Sequence, residues 1–394
     1  MVDGGEGMGA LAGKRTLLLV IVSMFWFAQY VYVPYQTPFL IEMGTTSAMV
    51  GVVVGAYGLT QFLARMPIGL AADRIGRHKG FIVFGVAAAG LASVLRVMFP
   101  NAEGFLAANL LSGLASGMWI SFMVLFATYF AREKLQQSTG RIIAANNIGI
   151  FCGFLLSTVS YASSGMSFLC MAGALVSGAA LVLSLGIREE KVAREPLQVR
   201  ELITVYKDKR LILFSMFALV QQGIMMSTSM SFTAEAARRI GATEWEIGMC
   251  AVVYIIAAVV SSYFAASDFA SRFGAKVWVP LSSLALVFYC VLVPHAPTAV
   301  AFYGVQMFAG ISTGVLFSYC TSEAMQDVPQ TKRSTAMGYH QALYAIGMTV
   351  MPVITGNIVS AYGMDIAFYF LAFTSLLGVL VSYLFYRSKG AYAK

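Results

Sequence analysis

The stretch Gly69-Leu70-Ala71-Ala72-Asp73-Arg74-Ile75-Gly76-Arg77-His78-Lys79 sets an aspartate, a histidine and three basic residues between two apolar runs, each long enough to cross a bilayer. Charges packed that tightly between hydrophobic segments belong in water. The run therefore reads as a turn at a membrane surface, and its excess of Lys and Arg assigns it to the cytoplasmic side.

The rest of the 394-residue chain agrees: it is 59% hydrophobic and 11% charged, with a mean hydropathy of +0.76. No water-soluble domain of this size carries such a composition, so an integral membrane protein is implied. A helix needs about 20 apolar residues to cross about 30 Å of hydrocarbon. Twelve such segments can be read, at about 16–41, 49–71, 80–99, 103–130, 141–162, 166–187, 210–236, 246–267, 277–294, 298–325, 335–360 and 365–386. They are continuously apolar, whereas barrel strands alternate over about ten residues, so the fold class is all-α.

An even number of spans puts both termini on one side. With the termini in the cytoplasm, 22 of the 26 Lys and Arg residues face that side and only Arg238 and Arg239 lie outside. The net charge of +8 thus reflects topology in a cell (inner) membrane and calls for no nucleic-acid partner. The first span follows Lys14 and Arg15 as a signal peptide would, yet it exceeds the length of a signal core and lacks a small-residue cleavage site, which predicts a retained helix. Five cysteines lie within spans without a C-x-x-C pair, and His78, His295 and His340 are scattered, so no metal site or other cofactor is expected. The absence of a G-x-x-x-x-G-K-[ST] loop excludes ATP as the direct energy source by that motif.

The segment Arg188–Arg210 carries seven basic and five acidic residues and reads as a cytoplasmic linker (188–209) between an N-terminal unit, 1–187, and a C-terminal unit, 210–394. Three segments recur at nearly one offset. Ala72-Asp73-Arg74-Ile75-Gly76 matches Ala270-Ser271-Arg272-Phe273-Gly274, Asn109–Gly117 matches Gln306–Gly314, and Gly149–Gly153 matches Gly347–Met351. Such register indicates a duplicated six-helix unit, with a solvent-reachable cavity where the two copies meet near mid-depth.

Twelve spans, a central linker and the charged loop together resemble the major facilitator superfamily, and the resemblance runs over essentially the whole chain. It implies two pseudo-symmetric six-helix bundles, a monomer, and movement of a small organic solute across the bilayer by alternating access. It also implies a gate built from Gly69, Asp73, Arg74, Gly76 and Arg77, with Asp73 meeting the start of the eleventh span near Ser334 and Thr335. A carboxylate at a helix N-terminus gains about 0.3 to 1 kcal/mol, weak enough to break during a transport cycle. In the second copy Arg272 keeps the pattern while Ser271 replaces the aspartate. The family's drug/proton antiporters carry an arginine in the fourth span and a proline after the glycines of the fifth. Asn109 and the proline-free Gly149–Gly153 stretch depart from that subfamily.

Helical spacing puts Asn109 and Trp119 on one face of the fourth span, with Gln306 on its repeat. Similar faces hold Gln29, Tyr32 and Gln36 in the first span and Asn146 and Asn147 in the fifth. The seventh and eleventh add Gln222 with Met226, and Gln341 with Tyr344. Polar groups on apolar spans avoid lipid, so they read as a substrate cavity or as hydrogen bonds between helices. The soft, uncharged set suits an uncharged or amphipathic solute, with efflux slightly ahead of uptake of a metabolite such as a sugar, organic acid or nucleoside-like compound. A transport-silent receptor is the alternative of another class.

Glu323 and His340, about one turn inside the cytoplasmic ends, are the candidate proton carriers, or else interfacial groups. Arg65 lies about 12 Å from Asp73 along its helix and either snorkels or faces protein to bind substrate, with snorkelling favoured, Arg96 near an outer end has the same two readings, and Glu42 and Glu235 are expected in water. Gly310-Ile311-Ser312-Thr313-Gly314 fits a hydrolase pattern that requires a strand-to-helix elbow; within a helix it reads as close packing.

Overall fold

The computed structural model describes residues 8–75, 77–130, 135–189, 207–328 and 333–388, with backbone alone at 8–10, 69, 70, 73, 74, 135–137 and 333–335. The described residues contain helices and turns and no strand. Eleven helical segments are long and apolar enough to cross a membrane. The longest, Ser138–Leu185, holds two of the expected spans, because the chain reverses at Gly165 with φ 69° and ψ −174°. A side chain would be strained at that positive φ, and glycine permits the reversal. The result is twelve spans, each close to its expected bounds. Leu175, Val182 and Val260 are exposed on their outer surfaces, as a lipid-facing wall requires.

Four spans are interrupted, among them the fourth, where Ala102–Gly117 and Trp119–Thr128 meet at a turn at Met118. The first runs Met8–Tyr30, breaks at Val31 and Tyr32, and resumes as Val33–Glu42. Pro34 and Pro38 lack the N–H that would carry an unbroken ladder through this region. The seventh runs Lys209–Ser227, widens into a π-turn at Thr228–Phe232 and ends as Thr233–Arg239. In the tenth, Ala299–Ile311 and Phe317–Met325 flank a π-turn at Ser312–Leu316. Such turns re-aim side chains and concentrate at functional sites.

The two bundles repeat one another in their packing. A Cβ at Gly113 would strike the Tyr57 carbonyl, and one at Gly310 would strike the backbone at Tyr254. Likewise Gly149 lies against the Ser23 carbonyl and Gly347 against that of Leu219. The glycines of the hydrolase-like pattern thus serve helix contact. Between the bundles, the second span lies along the eleventh, Ser47–Ile75 on Arg333–Tyr362. Gly51 and Gly55, one turn apart, bring the backbones together at Pro352 and Thr349.

Candidate functional site

A narrow cavity of about 20 Å³, with room for a water or two, lies where the bundles meet. The first span supplies Gln29, Tyr30, Tyr32, Val33 and Gln36, the second Val54 and Tyr57, the fourth Asn109, and the seventh Met226 and Met230. The break in the first span delivers Tyr32 and Val33, and the π-turn of the seventh delivers Met230.

Behind this lining runs a buried polar network. The Gln29 amide donates from Nε2 to the Ser112 carbonyl at 2.8 Å and to Ser116 Oγ at 2.7 Å. Ser116 Oγ is also 2.8 Å from the Tyr57 hydroxyl. Asn109 Oδ1 accepts from the Tyr32 hydroxyl at 3.2 Å and from Arg96 Nη2 at 2.7 Å, while its Nδ2 donates to Gln36 Oε1 at 3.1 Å and the Val53 carbonyl at 2.8 Å. These bonds use all of Asn109's capacity and fix its orientation. The second bundle repeats part of the arrangement: Gln221 donates to Thr313 at 3.2 Å, and Thr313 pairs with the Tyr254 hydroxyl at 3.2 Å.

Away from the basic surface the bundles are tied together. The Tyr35 hydroxyl donates to the Glu244 carbonyl at 2.6 Å, Thr37 and Ser231 share a hydrogen bond at 2.8 Å, and Arg238 donates to the Pro38 carbonyl at 3.0 Å. Arg238 also pairs with Glu42 at 3.1 Å. Nearer the basic surface, Arg65 bridges the bundles by donating to Gln341 Oε1 at 3.0 Å and the Tyr344 hydroxyl at 2.6 Å.

The structure brings Gln29, Tyr32, Gln36, Asn109 and Met226 to one cavity, and Gln341 and Tyr344 to Arg65. It does not bring the whole expected set together. Trp119 stacks edge-on against Trp26 at 5.4 Å, Asn146, Asn147 and Gln222 are half-buried outside the lining, and Gln306 accepts from Ser229 at 2.9 Å within the second bundle. Tyr30, Tyr57 and Met230 line the cavity without having been anticipated. Tyr57 carried a signal, since Tyr57, Gln61 and Arg65 form a stripe at i, i+4 and i+8.

Three expectations change. Arg65 is 4% exposed and spans the bundles instead of snorkelling. Arg96 is fully enclosed, and Glu235 is buried beside Arg239 instead of solvated. Glu323 pairs with Arg210 and accepts from the Tyr386 hydroxyl at 3.3 Å. His340 is fully buried between Ser215 Oγ at 2.9 Å and Thr321 Oγ1 at 3.2 Å. Of the gate residues, Arg77 and Arg272 are exposed. Gly76 lies outside the described residues, as do the side chains of Asp73 and Arg74, Gly69 has backbone alone, and the contact expected of Asp73 falls outside what is described. The described end of that loop is held instead by Glu189, whose carboxylate accepts from the backbone N–H of His78 at 2.6 and 2.8 Å and of Lys79 at 2.8 Å. No cluster able to hold a metal occurs among the described residues.

Comparison with known proteins extends this picture. The chain is 21% identical over 364 residues to an uncharacterized MFS-type transporter of Methanocaldococcus jannaschii, covering 89% of this chain and 92% of that one. It is 30% identical over 115 residues to the inner membrane transport protein YajR of Escherichia coli, covering 29% of this chain and 25% of that protein. Its fold is similar to that of the nucleoside transporter NupG, with a TM-score of 0.75 at 14% identity over 93% of this chain and 98% of that one. It is also similar to a bacterial homolog of the human lysosomal transporter Spinster in an inward-facing, unoccupied conformation, with a TM-score of 0.73 at 14% identity over 96% of each chain. The profile described as Major Facilitator Superfamily matches residues 17–237 and 217–393, nearly the full length, and with the twelve spans and paired bundles already described, the chain belongs to the Major Facilitator Superfamily of membrane transporters.

Proposed function

We propose that this transporter carries a small organic solute by secondary active transport, rocking its bundles about the cavity that holds Gln29, Tyr32, Asn109 and Met226. The observation that carries the reading is that both bundles line one polar cavity while one end is sealed by glycine contacts and hydrogen bonds that a modest motion would break. With both termini in the cytoplasm, the end tied by Tyr35, Thr37 and Arg238 faces outward, and loading from the cytoplasm requires the Arg65 bridge on that side to part. The methionine and tyrosine lining suits an amphipathic solute, which puts efflux ahead of metabolite uptake.

We assign proton coupling to Glu323, with His340 as the second candidate, because a proton on Glu323 would break its ion pair with Arg210 and leave Arg210 to Asp327 at the basic end. The chain acts as a monomer in this reading. Counterflow of labelled amphipathic solutes into proteoliposomes of purified protein tests the whole. Saturable exchange that Gly55→Leu abolishes supports it. Saturable binding with no exchange would make the protein a receptor instead.

A further inference from the structure

Two buried arginines have no carboxylate against them: Arg96 stands behind the cavity lining, and Arg65 stands on the second span beyond Tyr57. Arg65 is 4% exposed, and both of its hydrogen-bond partners, Gln341 and Tyr344, are neutral; its Nε is buried without a partner. Arg96 is 1% exposed and donates from Nη2 to the Tyr32 hydroxyl at 2.7 Å, Asn109 Oδ1 at 2.7 Å and Ser112 Oγ at 2.9 Å. Its guanidinium carbon lies 3.7 Å from the Tyr32 ring centroid, and its Nε and Nη1 are buried without partners. Ion pairs among the described residues involve Arg210, Arg238 and Arg239, and neither buried arginine takes part in one. A charge removed from water and met by neutral groups alone is costly, and inside a membrane it marks a place where a ligand completes the electrostatics.

The network between Arg96 and the cavity has a direction. Arg96 donates to Asn109, Asn109 donates to Gln36 Oε1, and the Gln36 Nε2 group then stands on the cavity lining with no protein partner among the described residues. A chain of donors that starts at a fixed positive charge polarises its last N–H, which therefore favours a strong acceptor. Tyr57, which lines the cavity, and Arg65 lie on one face of the second span, two turns apart.

Resting on the transporter reading, we infer that the solute is an organic anion: an oxyanion head, carboxylate or phosphate ester, held by Arg65, with an apolar body against Tyr30, Met226 and Met230 that reaches toward the donor chain from Arg96 ending at Gln36. This revises the uncharged solute expected from the sequence, where snorkelling was set ahead of substrate binding for Arg65 and Arg96 was placed near an outer end.

Thermal unfolding of the purified full chain tests the inference, with phenylacetate, phenyl phosphate, the neutral isostere phenylacetamide and inorganic phosphate as probes. At least one aryl anion should raise the midpoint saturably, phenylacetamide should not, and inorganic phosphate should do so less than phenyl phosphate. The two aryl anions separate a carboxylate from a phosphate head. Arg65→Gln should weaken the response at least about tenfold, and Arg65→Lys, which keeps the charge, should retain part of it. Stabilisation by the amide as strong as by the anions, by no aryl anion, or undiminished in Arg65→Gln overturns the inference, as does inorganic phosphate matching phenyl phosphate. If Arg65→Gln does not fold, the anion-to-amide comparison on the unaltered chain and on Arg65→Lys decides. Saturable exchange of a neutral solute in proteoliposomes would uphold transport and overturn the anion. Arg65-dependent anion binding with no exchange would do the reverse.

Discussion

Arg238 of the seventh span reaches Glu42 of the first at 3.1 Å and the Pro38 carbonyl at 3.0 Å, so one side chain ties the two bundles together at the sealed end. The ion pair is partly exposed and contributes at most about 1 kcal/mol, and the hydrogen bond to the carbonyl adds about the same. Arg238→Ala should therefore shift the balance toward the conformation open at this end by about 1 to 2 kcal/mol, or about five- to thirtyfold. Spin-label distances between the first and seventh spans would report it. An unchanged distribution would remove Arg238 from the seal.

Gly55 meets the Thr349 carbonyl so closely that no side chain fits between the second and eleventh spans. Gly55→Leu should force those spans apart at the sealed end, at about 1 to 3 kcal/mol of overpacking. The expected phenotype is a folded protein that no longer exchanges solute, with a cysteine at position 349 newly reactive from the sealed side. Normal exchange would show that the two spans do not need this approach.

How much of this was legible beforehand follows from the physics of each feature. Spans were readable because hydrocarbon thickness demands about 20 apolar residues, a requirement that composition alone reveals. The duplicated glycines were readable because close backbone approach tolerates little else, and Gly113 and Gly310 do make equivalent contacts. The π-turns at Thr228–Phe232 and Ser312–Leu316 left no signature, since one extra residue in a turn changes no periodicity that a short window can detect. Depth misled for Arg65 and Arg96, because distance from a helix end says nothing about which way a side chain faces. The stripe of Tyr57, Gln61 and Arg65, all buried, was the cue that outweighs depth.

Asn109 is saturated by four hydrogen bonds, including one from the buried Arg96. Asn109→Leu would leave Arg96 short of an acceptor and strand Gln36, so its cost should approach that of breaking a buried charged network, about 3 to 5 kcal/mol. Asn109→Asp supplies a counter-charge to Arg96 but cannot donate to Gln36 or to the Val53 carbonyl, so it should recover only part of the lost stability while losing solute affinity. Melting midpoints alongside binding measurements separate the two variants. Equal melting of Asn109→Leu and the unaltered chain would show that the network carries no stability.

Glu189 follows the sixth span yet caps the third, accepting from the N–H groups of His78 and Lys79. A side-chain cap with negative charge at a helix N-terminus contributes about 0.5 to 2 kcal/mol. Glu189→Ala should fray the first turn at Lys79 without altering the cavity. Hydrogen exchange should quicken at residues 79–82, and solute affinity should hold. Protection unchanged at those amides would show that the cap is dispensable.

Glu323 pairs with Arg210 inside the second bundle, and the Tyr386 hydroxyl donates to the same carboxylate at 3.3 Å. If that carboxylate is the group that takes up the coupling proton, Glu323→Gln fixes it in the neutral state, because the amide retains an acceptor for Tyr386 yet cannot titrate. Exchange of solute across liposomes without a pH gradient should then persist, while accumulation driven by a pH gradient should fall to the uncoupled level. His340→Gln separates the second candidate, since its removal should slow the cycle without abolishing gradient-driven accumulation when Glu323 is the carrier. Accumulation that survives in Glu323→Gln and collapses in His340→Gln would reverse the assignment, and accumulation insensitive to both would show that protons do not drive transport through either group.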